Sequence, residues 1–184
     1  MCTLDHSIEP RPCARAATRF VTFSCLHRNH WLAHPETRDA VTRLISDGAA
    51  RGDIRLHAWV IMSNHIHLLA TDANTAVLAW TARLRKRFAL HEREQLSGFL
   101  PEEARAGAFW LRGGGHSRMI WSWQEFVQKC AYIHTNPVRA KLCDHPSEWK
   151  WSSALDTPDA ACTDRPNLSR PPEGLVDLLW WKKA

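Results

Sequence analysis

Residues 54–71 read IRLHAWVIMSNHIHLLAT. Two β-rich runs, 54–62 and 65–71, are split by two small polar residues, Ser63 and Asn64. That is the pattern of an antiparallel hairpin with a two-residue turn. The second run carries His65 and His67 one residue apart. Alternate residues of a strand share a face, so the two imidazoles project together. Ile66, Leu68 and Ala70 point the other way, into a core under helices.

The flanking sequence supplies those helices. Upstream, RFVTFSCLH (19–27) is a β-rich strand, and HPETRDAVTRLISDGAARG (34–52) is a helix with Val41, Leu44 and Ile45 at helical spacing. Gly52 ends it. Downstream, Asp72 or Asn74 is placed to cap a helix running to about Glu94, with Val77, Trp80, Leu84 and Phe88 as its apolar stripe. Residues 95–107 read as a loop, AFWLR (108–112) as a strand and GGGHSR (113–118) as a flexible turn. SWQE (122–125) matches a capping box, Ser122 with Glu125, opening a helix expected to stop at Pro137. The order is β-α-β-β-α-β-α, and its first six elements match the split βαβ pattern. The expected class is α+β: a ferredoxin-like antiparallel sheet with helices packed on one face. Residues 1–17 read as a loose arm, 18–155 as the domain, and 156–184 as a tail whose end, GLVDLLWW, docks back.

Composition narrows the class. The 184 residues are 45% hydrophobic and 23% charged, which suits one soluble domain with its own core. No run is long enough to cross a membrane as a helix, and the first residues have no apolar stretch of a signal peptide. These features point to a cytoplasmic protein with no membrane partner, and nucleoid association is expected only if nucleic acid is the partner. Six cysteines include no C-x-x-C pair, which favours reduced thiols over disulfides or a zinc ribbon. The formal net charge of +5 modestly favours a polyanionic partner such as nucleic acid.

Two imidazoles converging from one strand can hold a divalent cation if oxygen ligands complete the shell; the bland alternative is two half-exposed strand residues. Familiar H-x-H classes fit poorly. A histidine triad needs a third His where Leu69 stands, amidohydrolase barrels are larger, and cupins are all-β. The only tyrosine in the chain is Tyr132. In the helix opened by Ser122, Trp123, Phe126, Cys130 and Ile133 form the apolar stripe, and Tyr132 falls almost opposite, on a face shared with Gln128 and Asn136. A tyrosine hydroxyl can attack a phosphodiester when a metal polarises the phosphoryl oxygen, and Asn136 can add an amide oxygen to the metal. A surface tyrosine is the plain alternative.

HAWVIMSNHIHLLATD followed by YIHTNPVRAKLCDHPSEWKWSS resembles the REP-associated tyrosine transposases, within the HUH superfamily of single-tyrosine transposases. FWLRGGGHSR resembles a glycine-rich feature of some members. The resemblance runs from about Arg19 to Ser153. It implies a metal-dependent endonuclease and strand-transferase acting on single-stranded DNA near hairpins or palindromic repeats. His65 and His67 would be metal ligands, Asn136 the third polar ligand and Tyr132 the nucleophile of a 5′-phosphotyrosine intermediate, with Mg2+ or Mn2+ as the ion. Insertion-sequence relatives work as dimers, whereas REP-associated members can be monomers, so a homodimer stays open. Two departures are small: His116 stands where an aromatic is common, and Lys141 where glycine often follows NPVRA.

The DNA contacts expected beyond that centre are Arg83, Arg85, Lys86 and Arg87 in the densest basic cluster, Arg112 and Arg118 flanking the triple glycine, and Arg139. Trp110, Trp121 and Trp123 are candidates for base stacking, Trp123 being better placed for the core. Two other function classes stand beside this one: a non-catalytic DNA-binding protein derived from a transposase, and a hydrolase of small phosphoesters that needs no basic face.

Overall fold

A computed structural model describes residues 16–113 and 115–155. The loose arm up to residue 15, the tail from 156 and Cys2, Cys13 and Cys162 lie outside the described residues. Cys25, Cys130 and Cys143 are free thiols.

The strands are β1 (Thr18–Ser24), β2 (Ile54–Ile61), β3 (His65–Asp72) and β4 (His116–Met119), in the sheet order β2-β3-β1-β4. Every neighbouring pair is antiparallel. The β2–β3 hairpin turns through Ser63 and Asn64 as its sequence predicts, closed by Met62 N–H donating to His65 O at 2.8 Å. The α+β antiparallel class is therefore as expected. Helices α1 (Pro35–Ala50) and α2 (Val77–Arg87) share a core with Val21, Phe23, Ile66, Leu68 and Ala70. The long helix α5 (Trp123–Arg139) covers the opposite face, where Phe126, Cys130 and Ile133 pack on Phe20, Ala58, Val60 and Leu69. Helices on one face thus hold for α1 and α2, and α5 adds a layer on the other.

Three boundaries differ from the sequence reading, each for a local reason. The fourth strand is His116–Met119, not 108–112. Phe109 and Trp110 are apolar because they fill the core, and Trp110 makes only an isolated bridge to Cys25. The true β4 is an edge strand with exposed and half-buried residues, so it carries no apolar alternation. Its start depends on Gly115, with φ of +85°, where an added Cβ would lie 2.0 Å from Thr22 O. The close approach of the triple-glycine segment is therefore to β1.

Helix α2 begins at Val77, whose N–H donates to Asp72 Oδ1 at 2.9 Å, so Asp72 does serve its start. It continues through a π-turn (Phe88–Glu92) into the short α3 (Arg93–Gln95), close to the expected end. A further short helix, α4 (Glu102–Ala106), lies in the stretch expected to be loop.

Ser122 Oγ caps α5 by accepting from Glu125 N–H at 3.2 Å. The helix does not stop at Pro137 but runs one turn past Asn136. Proline in a last turn forfeits a single N–H bond. The exit is a Schellman motif: Leu142 N–H donates to Pro137 O and Lys141 N–H to Val138 O, both at 2.9 Å, with Lys141 left-handed at φ +57°.

The last described segment straps the β2 edge. Ile61 N–H donates to Trp151 O and Ser153 N–H to Trp59 O, both at 2.9 Å. Trp149 Nε1 donates to Ile61 O at 3.0 Å, and Trp151 Nε1 to Asp39 Oδ1 at 2.6 Å. Arg38 stacks between both indoles, 3.7 Å from the Trp151 ring and 5.0 Å from the Trp149 ring.

Candidate nucleophile and metal site

The antiparallel register sets Ser24 opposite His65, Thr22 opposite His67 and Phe20 opposite Leu69. These side chains share the sheet face under α5. His65 Nε2 and His67 Nε2 lie 3.1 Å apart. Their other nitrogens are held from behind: His65 Nδ1 is 2.6 Å from Asn64 Oδ1, and His67 Nδ1 is 2.7 Å from Thr22 Oγ1. An amide oxygen only accepts, so His65 carries its proton on Nδ1 and its Nε2 presents a lone pair. The Thr22 hydroxyl can donate or accept. As a donor it leaves His67 Nε2–H to bond to His65; as an acceptor it frees both Nε2 lone pairs together.

Burial, then the charges of Arg28 and His30, pushes His65 down from 6.5 to about 4. Burial, then His65, Lys129 and Arg28, pushes His67 down to about 3. Both rings are therefore neutral at physiological pH, the form that ligates a metal. Two ligands at about 2.1 Å and at right angles on one ion stand about 3.0 Å apart, so the observed 3.1 Å suits neighbouring octahedral positions. The donor set fits a divalent cation whose remaining ligands are oxygens. Among the described residues no third histidine, cysteine or carboxylate completes a metal-holding group.

Tyr132 does not face open solvent. It sits half-buried on the flank of α5, its ring 5.3 Å from the His67 ring and 5.9 Å, edge-on, from Phe20. Lys129 Nζ and Arg139 Cζ each lie 5.6 Å from the Tyr132 ring centre, so the phenol is flanked by two cations. Asn136 remains helical, one turn beyond Tyr132. Its Nδ2 donates to Tyr132 O at 3.1 Å, and its Oδ1 makes no hydrogen bond among the described residues.

Sequence reasoning missed Thr22, Asn64 and Lys129. Lys129 was within reach, being three residues before Tyr132 on one helix. Thr22 becomes visible only once β1 is registered against β3.

The basic residues separate. Arg139 is at the tyrosine, and Arg118, opposite Phe20 on β4, pairs with Glu125 at 2.6 Å. The 83–87 cluster is on α2, across the sheet from Tyr132. There Arg83 donates to Thr75 Oγ1 at 3.0 Å and Arg87 pairs with Asp47 at 3.4 Å. Arg85, Lys86 and Arg112 instead line one groove. Of the three tryptophans, Trp110 is core, Trp123 stacks on Phe126, and Trp121 is 74% exposed.

The fold and site define an α+β domain with a histidine pair on its β2–β3 hairpin and a tyrosine beside it. Neither a protein-family model nor a curated protein matches the chain. Among solved structures it is similar to a REP-associated tyrosine transposase bound to a REP hairpin, with 18% identity, a TM-score of 0.57, and coverage of 94% of this chain and 95% of that one. That likeness is one of fold. Among the described residues no helix is long and apolar enough to cross a membrane.

Proposed function

We propose that the chain is a REP-associated-type tyrosine transposase that nicks and joins single-stranded DNA through Tyr132, near hairpins or repeats. His65, His67 and Asn136 would hold Mg2+ or Mn2+. The observation that carries this reading is the 3.1 Å convergence of two neutral Nε2 atoms beside the only tyrosine. Similarity in fold to a protein solved with a DNA hairpin supports the choice of substrate.

The cation, when bound, supplies Lewis-acid polarisation of a phosphoryl oxygen. The chain's own groups do the rest. Tyr132 Oη bonds to phosphorus as the P–O3′ bond breaks; the phenol gives up its proton and the departing 3′ oxygen takes one up. The products are a 5′-phosphotyrosine and a free 3′-hydroxyl, and joining is the reverse. Lys129 and Arg139 draw the phosphate to the ring. Asn64 and Thr22 keep the imidazoles aimed.

The test follows a strand labelled 3′ of the nick, which should migrate with the protein on a denaturing gel. Tyr132→Phe abolishes that adduct and keeps DNA binding, and His65→Ala with His67→Ala removes cleavage. A Tyr132→Phe protein that still traps DNA covalently, or undiminished attachment in chelator, overturns the reading.

A further inference from the structure

Arg85, Lys86, Arg93 and Arg112 line one groove of about 380 Å³ between the end of α2, the following turns and residues 108–113. No carboxylate lines it. Among the described residues none of the four is paired with an acidic side chain. Arg93 is oriented instead by Gly107 O, at 2.5 Å from its Nη1. The Arg85 guanidinium lies 5.9 Å from the Phe23 ring, and its Nε is buried without an acceptor. Burial also lowers the Arg85 pKa, so its charge is partly desolvated and uncompensated. Four unmatched cations facing one concave surface make a site for polyanion.

The position of the groove indicates which polyanion. Trp110 bridges to Cys25, and Leu111 N–H donates to Ser24 O at 2.9 Å. Ser24 is registered opposite His65. The groove therefore opens at the same end of the sheet as the histidine pair, on the other face, and the segment that lines it continues into the edge strand β4.

We propose that this groove is a second DNA contact, taking the sugar-phosphate backbone of the substrate away from the point of cleavage. The proposal rests on the DNA reading given above. It adds Arg93, which the sequence did not single out, and removes Arg83 and Arg87 from the contact.

The test is anisotropy titration of a labelled hairpin oligonucleotide over a range of salt, in the Tyr132→Phe background so that no chemistry intervenes. Lys86 and Arg112 are exposed, so Lys86→Glu with Arg112→Glu spares the core. The double variant should bind about 10- to 100-fold more weakly, with the salt slope reduced by about 1.5 to 2. Arg55→Glu with Arg105→Glu changes the net charge equally outside the groove and should lose much less. Unchanged affinity and slope in the groove variant, or equal loss in the control, overturns the groove while leaving the nuclease reading in place. No affinity of the parent for the hairpin overturns both.

Discussion

His65 and His67 are held neutral by burial and by nearby positive charge, and this has a thermodynamic consequence. Their folded pKa values, about 4 and about 3, lie below the ordinary 6.5. As pH falls, the unfolded chain therefore takes up protons before the folded chain does. Their contribution to stability is full above about pH 6.5 and is lost progressively down to about pH 3. Urea midpoints should descend over that window, and His65→Gln with His67→Gln should make the descent shallower. An equally steep descent in the double variant would show that the histidines are not the depressed groups. At this scale the pair was legible, because alternate strand residues share a face. The tautomers were not, because Thr22 lies 45 residues from His67 and meets it only through pairing.

Among the elements, α5 shows how local rules bend. Pro137 was expected to end the helix, yet the helix absorbs it in the last turn, which keeps Asn136 on the Tyr132 face. The stop comes at Lys141, where a left-handed residue closes the Schellman motif. An L-residue pays about 1–2 kcal/mol for that conformation, part of which glycine avoids. Lys141→Gly should therefore stabilise the chain by about 0.5–1 kcal/mol, a rise in Tm of about 2 °C measurable by thermal unfolding. The helices and the hairpin were readable because their periodicities are strong. β4 was misplaced because an exposed edge strand has no apolar pattern to read, while Phe109 and Trp110 mimic one from the core. The basic run at 83–87 read as one cluster, but consecutive helical residues diverge by about 100° and meet different partners.

For the whole molecule, the sheet carries two cores, one under α1 and α2 and one under α5. Their shared edge at β2 is closed by the Trp149–Ser153 strap. Trp149 is 9% exposed and bonds to Ile61 O, so Trp149→Ala should cost about 3–5 kcal/mol in denaturant unfolding. It should also expose the β2 edge to association, visible as a concentration-dependent species in light scattering. A change below about 1 kcal/mol would mean that the strap is peripheral. Two-sided burial also explains the tyrosine. On a helical wheel Tyr132 lies off the apolar stripe, but a helix laid on a twisted sheet brings its flank down too, onto Phe20 and His67.

By itself the sequence determined the split βαβ order, the hairpin with its paired histidines, and the capping and apolar stripes of the helices. These are consequences of period and chemistry within a few residues. Only the tertiary structure decided that α5 lies on the histidine face, that Thr22 joins the site, and that Arg93 completes a groove with Arg85, Lys86 and Arg112. Those are meetings of residues far apart in the chain or turned differently on one helix. They depend on strand register and on which face each helix buries, and no local pattern encodes either.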